Sequence, residues 1–339
     1  HYETLIDALS TRRSGTGRIR PKIVASTATI ARAEAQVEAL YARPARLFPP
    51  QALRAGDSFF GVERPDLPGR TYVGVLASGL SSHVVAQIRV TAALLQSPAS
   101  LRGVAAPDDL DPYWTLVTYF NSLRELGRAS TLIQADIREY LNWIWQRTGI
   151  SDSRGQDVDL RRFINHDVEL TSRVPSAQIP EILERLFTGL PDTTAVDVCF
   201  ATNMIQVGLD VPRLSLMMIV GQPKGASEYI QASSRVGRDL GKPGLVVTNY
   251  NPFKPRDRSH FESFRQFHES IYRFVEPTSV TPFSLPVCER AIHALAVALI
   301  RCLDPSRRAS PAGGPPPDLR AEVTDVILSR VARVAPDEQ

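Results

Sequence analysis

The chain is short of the strings that would make it a self-sufficient nucleotide hydrolase. Nowhere in its 339 residues is there a Gly-x-x-x-x-Gly-Lys-Ser/Thr run, an Asp-Glu-x-His box or an Asp-Glu-Ala-Asp box. Such strings supply a backbone cradle for phosphates and a carboxylate for Mg²⁺. The chain alone is therefore expected to be inactive toward ATP. Cysteine is scarce: Cys199, Cys288 and Cys302 form neither a disulfide framework nor a zinc spacing. A reducing compartment, the cytoplasm, is the expectation. The first residues carry charges and no apolar core, unlike a secretory leader. The longest apolar runs, such as 291–300, are too short to span a bilayer, so no membrane partner is expected. A formal charge of +3 permits a phosphate-contacting surface without arguing for one. His1 in place of a start methionine suggests that the chain is the C-terminal part of something longer.

What is present is an alternation of apolar runs and helical patterns. Residues 23–26 predict a strand, followed by a turn and an Ala/Glu-rich helix up to residue 41. Prolines and glycines without periodicity mark 42–69 as irregular and 98–111 as a second connector. Strands are expected at 72–77, 114–120, 167–170, 196–201, 214–220 and 245–250. Helices are expected at 83–95, 122–147, 176–187 and 227–236. Alternating strands and helices argue for βαβ units and a mostly parallel sheet. The strands are continuous apolar runs, as when both faces are covered. Beyond residue 251 the pattern is helical, with a Pro/Gly/Ser-rich linker at 305–317 and a last helix at 319–334.

Several strings at strand ends carry chemistry. Gln231-Ala232-Ser233-Ser234-Arg235-Val236-Gly237-Arg238 places two arginines at i and i+3 near a helix end, where they would share a face. A planar guanidinium suits a phosphoryl group. The bland alternative is a solvated helix end. In the run from Thr202 to Pro212, Thr202 offers a hydroxyl, Gly208 a tight turn and Asp210 an acceptor for a ribose hydroxyl; Asp210 could equally be a helix cap. Asn121-Ser122-Leu123-Arg124 closes a strand and opens a helix. Asn121 or Ser122 is either an N-cap or part of a phosphate site, with no preference between the two. Thr171-Ser172-Arg173 is a hydroxyl-rich turn with a cation, or an ordinary polar turn. Thr27-Ala28-Thr29 is another such turn. In the segment 253–274, Phe261 and Phe264 read as core, and Arg256 and Arg258 as weak nucleic-acid candidates. No metal spacing is found.

Taken in order, these strings resemble the second half of a superfamily 2 helicase. Thr27-Ala28-Thr29 is similar to motif III, Asn121 to Arg124 falls where motif IV lies, and Thr171-Ser172-Arg173 is similar to motif IVa. Thr202 to Pro212 resembles motif V, and Gln231 to Arg238 resembles motif VI. A narrower resemblance, to the helicase subunits of the DISARM anti-phage system, rests on Tyr119-Phe120-Asn121-Ser122-Leu123-Arg124-Glu125-Leu126-Gly127, Gly221-Gln222-Pro223-Lys224 and Glu228-Tyr229-Ile230-Gln231-Ala232. Pro255-Arg256-Asp257, Ser259-His260 and Val280-Thr281-Pro282-Phe283 carry it past the motor core.

The resemblance implies an α/β fold, a RecA-like parallel sheet flanked by helices, with a mainly helical C-terminal extension. It divides the chain into 1–41, the end of a first RecA-like domain; 42–110, an insertion or linker; 111–250, a second RecA-like domain; 251–304, a helical extension; and 305–339, a linker and terminal helix. It makes Arg235 and Arg238 arginine fingers and places Gln231, Gly208 and Asp210 at the nucleotide. Asn121, Ser122, Arg124, Thr171, Ser172, Arg173 and Thr202 would hold a nucleic-acid backbone, and Thr27, Ala28 and Thr29 would couple the two. The implied cofactors are ATP and Mg²⁺, with the Mg²⁺ ligands outside this chain. The implied partners are DNA, single-stranded or with a single-stranded end, and a DUF1998-type DISARM subunit. Ser234 departs from the glycine many relatives carry there, and Gln231 from the histidine of another branch. The competing expectations are a non-catalytic RecA-like module that binds nucleic acid or a partner, and the motor of another restriction or repair system.

Overall fold

The computed structural model describes residues 1–15, 17–27, 29–50, 52–53, 57–147, 160–203, 210–308 and 313–335. Ala28 and Gly208 therefore lie outside the described residues. The chain forms two compact units, one of residues 63–275 and one of residues 1–62 with 276–339.

The 63–275 unit is built on a six-stranded sheet. Its strands are β1 (Thr71–Leu76), β2 (Leu116–Phe120), β3 (Asp167–Leu170), β4 (Val198–Ala201), β5 (Leu216–Val220) and β6 (Leu245–Tyr250). The spatial order is β1-β6-β5-β2-β4-β3, and every neighbouring pair is parallel. The chain moves outward from β1 through β2 to β3, then returns through β4 and β5 to β6. Crossovers between parallel strands are right-handed, so a reversal of direction moves the connecting helices to the other face. One face is covered by α1 (His83–Ser100), which precedes α2 (Pro107–Trp114), and by α3 (Leu123–Leu132), a π-helical turn at Ile133–Ile137 and α4 (Arg138–Arg147). There Leu95, Leu126 and Ile137 pack on Leu116, Phe120 and Met218. The other face is covered by α5 (Ile179–Phe187) and α6 (Ala226–Ser233). There Leu186, Tyr229 and Ala232 pack on Val117, Tyr119 and Ile219. β2 and β5 are buried at every position, which is why their sequences are apolar without alternation.

The unit closes with α7 (Pro255–Glu262), α8 (Phe264–Glu269) and a 3₁₀ turn at Ile271–Phe274. The buried phenylalanine of this stretch is Phe267; Phe261 and Phe264 are half-buried against Tyr250. Part of the stretch expected as an insertion belongs to the sheet: β1 pairs with β6 along its whole length. The expected connector at 98–111 is largely helical. α1 continues through the buried Pro98, and Pro107 opens α2 at a position where a missing N–H removes no helical bond.

In the other unit, helices Tyr2–Ser10, Ala33–Tyr41, Leu285–Leu303 and Pro317–Val334 accompany a hairpin of Arg12–Ser14 and Gly17–Ile19. Phe283, Leu295, Leu299, Val323 and Ile327 form its core. The buried Asp7 carboxylate accepts from Arg330 Nη1 at 3.3 Å and also pairs with Arg43. The expected strand at 23–26 does not form. Val24 is exposed and no strand lies beside it among the described residues, so its β-propensity has no surface to fill. No described helix is long and apolar enough to cross a membrane.

Candidate functional site

The two arginines sit on a turn, not on a helix. α6 ends at Ser233, and Ser234 caps it with its N–H donating to Ile230 O at 3.0 Å. Arg235 and Arg238 lie beyond that cap, so the expected shared helical face does not exist. What brings them together is Gly237, whose φ of +63° reverses the chain. The Gly237 N–H donates to Leu214 O at 2.8 Å. A Cβ on Gly237 would stand 2.5 Å from the backbone of Gly244, so no other residue fits there without displacing the chain.

Leu214 lies just ahead of β5, Gly244 just ahead of β6 and Arg70 just ahead of β1. The turn therefore lies at the amino edge of the sheet. Ligands of doubly wound sheets usually sit at the carboxyl edge. The reason for the difference is directional. α6 starts at the carboxyl end of β5 and runs back against the strands, so its last residues reach the amino edge.

Arg238 is exposed, and its Nη1 lies 2.7 Å from Asp210 Oδ1. Among the described residues no helix begins at Asp210; it pairs with the arginine. Arg235 is half-buried beside this pair. Burial lowers its pKa, the Arg238 charge lowers it further, and Asp210 acts in the opposite direction. Gln231 is half-buried in the last turn of α6, and its carbonyl accepts from Ser234 Oγ at 3.2 Å. Sequence reasoning missed Arg70, whose Nε donates to Val236 O at 2.7 Å and Nη2 to Ser234 O at 3.2 Å. Because it acts through backbone carbonyls, no motif announces it.

The other candidates gather at the carboxyl edge. Asn121 follows β2, and its Nδ2 donates to Val220 O at 2.9 Å and Gly221 O at 3.2 Å, tying the β2 and β5 loops together. Ser122 is the N-cap of α3 and accepts from Glu125 N at 3.3 Å. Arg124 is exposed in the first turn. Beyond β3, the buried Thr171 Oγ1 donates to Glu169 Oε1 at 2.5 Å and accepts from Arg173 N at 3.2 Å. Arg173 grips both oxygens of Glu169, at 3.0 and 2.8 Å, and Ser172 is exposed between the two. Thr202, at the end of β4, is buried, with its Oγ1 3.4 Å from Asn203 Oδ1. A residue that the sequence reading quoted only within a resemblance string, without a role, organises this edge. Buried Asp257 accepts from Gln222 N at 3.2 Å and Asn251 N at 2.8 Å, fixing the loops after β5 and β6. Arg256 and Arg258 flank it, exposed.

The structure thus sorts the sequence candidates into an amino-edge group of Arg235, Arg238, Asp210 and Gln231 and a carboxyl-edge group of Asn121, Ser122, Arg124, Thr171, Ser172, Arg173 and Thr202. Thr27 and Thr29 belong to the other compact unit, where Thr27 Oγ1 donates to Thr29 O at 3.3 Å. Among the described residues no group of three or more His, Cys, Asp or Glu side chains is arranged to hold a metal.

Residues 162–239, which include β3 to β5 and the arginine turn, match the helicase conserved C-terminal domain family. Over 304 residues, 88% of its length, the chain is 47% identical to the DISARM protein DrmA of Bacillus paralicheniformis. The chain thus carries a helicase conserved C-terminal domain and is similar along most of its length to part of DrmA. It spans 26% of the length of DrmA, and what it shares with the wider family is the RecA-like C-terminal domain. Over 100 residues, 29% of its length and 14% of the relative's, it is 28% identical to the ATP-dependent DNA helicase RecG of Acidithiobacillus ferridurans. Among solved structures, the DUF1998 helicase MrfA bound to DNA and AMPPNP aligns over 88% of this chain and 34% of that one, at 15% identity and a TM-score of 0.48.

Proposed function

We propose that the helicase domain is the C-terminal part of an ATP-dependent DNA helicase or translocase of DISARM-type anti-phage defence, and that the amino edge is its contribution to the ATP site. The observation that carries this reading is the Arg235–Gly237–Arg238 turn facing Asp210. Two guanidiniums on a rigid turn and one carboxylate facing them match the needs of a nucleotide, with cations for the phosphates and an acceptor for a ribose hydroxyl. ATP supplies the phosphoryl transfer that powers the motor. Asp210 holds Arg238 extended in the absence of phosphate and gives it up when a stronger anion arrives. Arg235, part-buried, holds its charge in a less polar setting, where attraction to phosphate is stronger than in water. Fingers of this kind are worth about 10³–10⁵ in rate. Gln231 supports the turn from the last turn of α6. Magnesium ligands come from elsewhere in the motor.

The carboxyl edge tracks a DNA strand. Ser172 and Arg124 are exposed and reach the backbone directly, Asn121 and Ser122 fix the loop they stand on, and Thr171, Arg173 and Thr202 frame the neighbouring loops. A DUF1998-type subunit and a cytoplasmic site of action complete this reading.

The test is DNA-stimulated ATP turnover in the complete motor. Arg238→Ala is expected to abolish turnover while DNA binding persists. Unchanged turnover would reject the amino edge as part of the ATP site and leave a binding module as the remaining function.

A further inference from the structure

We propose that Arg70 is a positioning residue for the arginine turn, clamping the backbone on both sides of Arg235 so that the two guanidiniums are held ready before a nucleotide arrives. The proposal rests on the reading of Arg235 and Arg238 as phosphate ligands and adds to it the part that aims them.

The clamp is built from outside the turn. Arg70 directly precedes β1, and the Thr71 N–H donates to Gly244 O at 2.7 Å. From that anchored position the guanidinium reaches Val236 O at 2.7 Å and Ser234 O at 3.2 Å. These carbonyls flank Arg235 in sequence; that of Ser234 belongs to the cap of α6, where free carbonyls carry partial negative charge, and that of Val236 lies in the turn beyond it. Arg70 therefore satisfies one acceptor that the helix end leaves open and one in the turn, through charge-assisted bonds. Its stem also sits in the tightest part of the edge, since a Cβ on Gly244 would stand 3.0 Å from Arg70 Cγ. Two residues further on, Tyr72 OH lies 3.4 Å from Ser233 Oγ. The edge strand and the residue just ahead of it thus hold three points of the chain, at 233, 234 and 236. Lysine cannot reproduce this. Its ammonium is a point donor, and the two carbonyls are spanned by a planar fork.

Two measurements test the clamp. The first is amide hydrogen exchange on this chain. In Arg70→Ala, exchange across 234–238 is expected to accelerate about tenfold or more, while amides of β2 and β5 keep wild-type protection. Acceleration spread evenly over the sheet would overturn the proposal, because it would mark Arg70 as a general stability residue. The second is turnover in the complete motor. Arg70→Ala is expected to lower kcat about 10- to 100-fold, the effect of misplacing a catalytic group by an ångström. KM for ATP should rise far less and DNA affinity should stay put. Arg70→Lys should recover only part of the loss. Arg238→Ala runs alongside. If that variant is dead and Arg70→Ala turns over normally, the clamp is refuted and the ATP-site reading stands. If both turn over normally, the ATP-site reading falls and takes the clamp with it.

Discussion

At the amino edge of the sheet, the backbone that carries the charged groups is what is held: Gly237 by Leu214, and the carbonyls around Arg235 by Arg70. The exposed Arg238 pairs with the Asp210 carboxylate. At the carboxyl edge, polar side chains are already engaged within the protein. Asn121 is bonded to two carbonyls, Ser122 to its own helix, and Thr171 and Arg173 to Glu169. The contrast teaches that motif residues of one family do different physical jobs. Those at the amino edge are aimed outward from a fixed frame. Most of those at the carboxyl edge are the frame, and Ser172 and Arg124 stand exposed beside it.

Four substitutions put this contrast at risk. The largest effect is expected from Arg238→Ala, with DNA-stimulated phosphate release falling by about 10³-fold or more at unchanged DNA affinity. A parallel loss of DNA binding would mean that the two edges are not separate in function. Next is Gly237→Ala, which forces a side chain into a left-handed turn against Gly244. It should lower unfolding stability by about 3 kcal/mol, read from denaturant midpoints. A change below about 0.5 kcal/mol would show that the turn is not rigid. Asn121→Ala removes the bridge between the β2 and β5 loops. It should weaken single-stranded DNA binding about tenfold, roughly 1.4 kcal/mol, and leave kcat at saturating DNA nearly unchanged. The smallest effect is expected from Glu169→Gln, which releases Arg173 from its ion pair. DNA affinity should rise about threefold and its salt dependence should steepen by about one phosphate contact. Weaker binding instead would show that Arg173 works only when held.

The sheet was largely legible because its central strands are buried on both faces. A run such as Leu216–Val220 carries no polar side that could be confused with a helix. The errors came where a local pattern met a distant partner. Residues 23–26 have strand composition but nothing to pair with. Thr71–Leu76, expected as a strand, was assigned with its glycine- and proline-rich surroundings to an insertion, yet β6 provides it with a full ladder in the main sheet. The end of α6 was misplaced because Tyr229, Ala232 and Val236 keep helical spacing past Ser233, and only Gly237 with its positive φ shows the break. Of the site, the motif residues were legible and their settings were not. The pairing of Asp210 with Arg238 and of Arg173 with Glu169 depends on turns that composition does not specify. Arg70 and Asp257 bind main-chain atoms, which leave no signature in the sequence.

The sheet's strand order bears on when the arginine turn can come into being. β1 is the first strand of the unit in the chain and β6 the last, yet they are neighbours, and Arg70 reaches across 166 residues to Val236. During synthesis, β1 must wait unpaired until almost the whole unit has left the ribosome. Contacts this far apart in sequence close slowly, and an unpaired apolar strand is open to wrong partners meanwhile. The clamp on the arginines is thus among the last structures to assemble, and a chain interrupted before residue 245 would carry every motif named here with no edge strand in place to hold the turn.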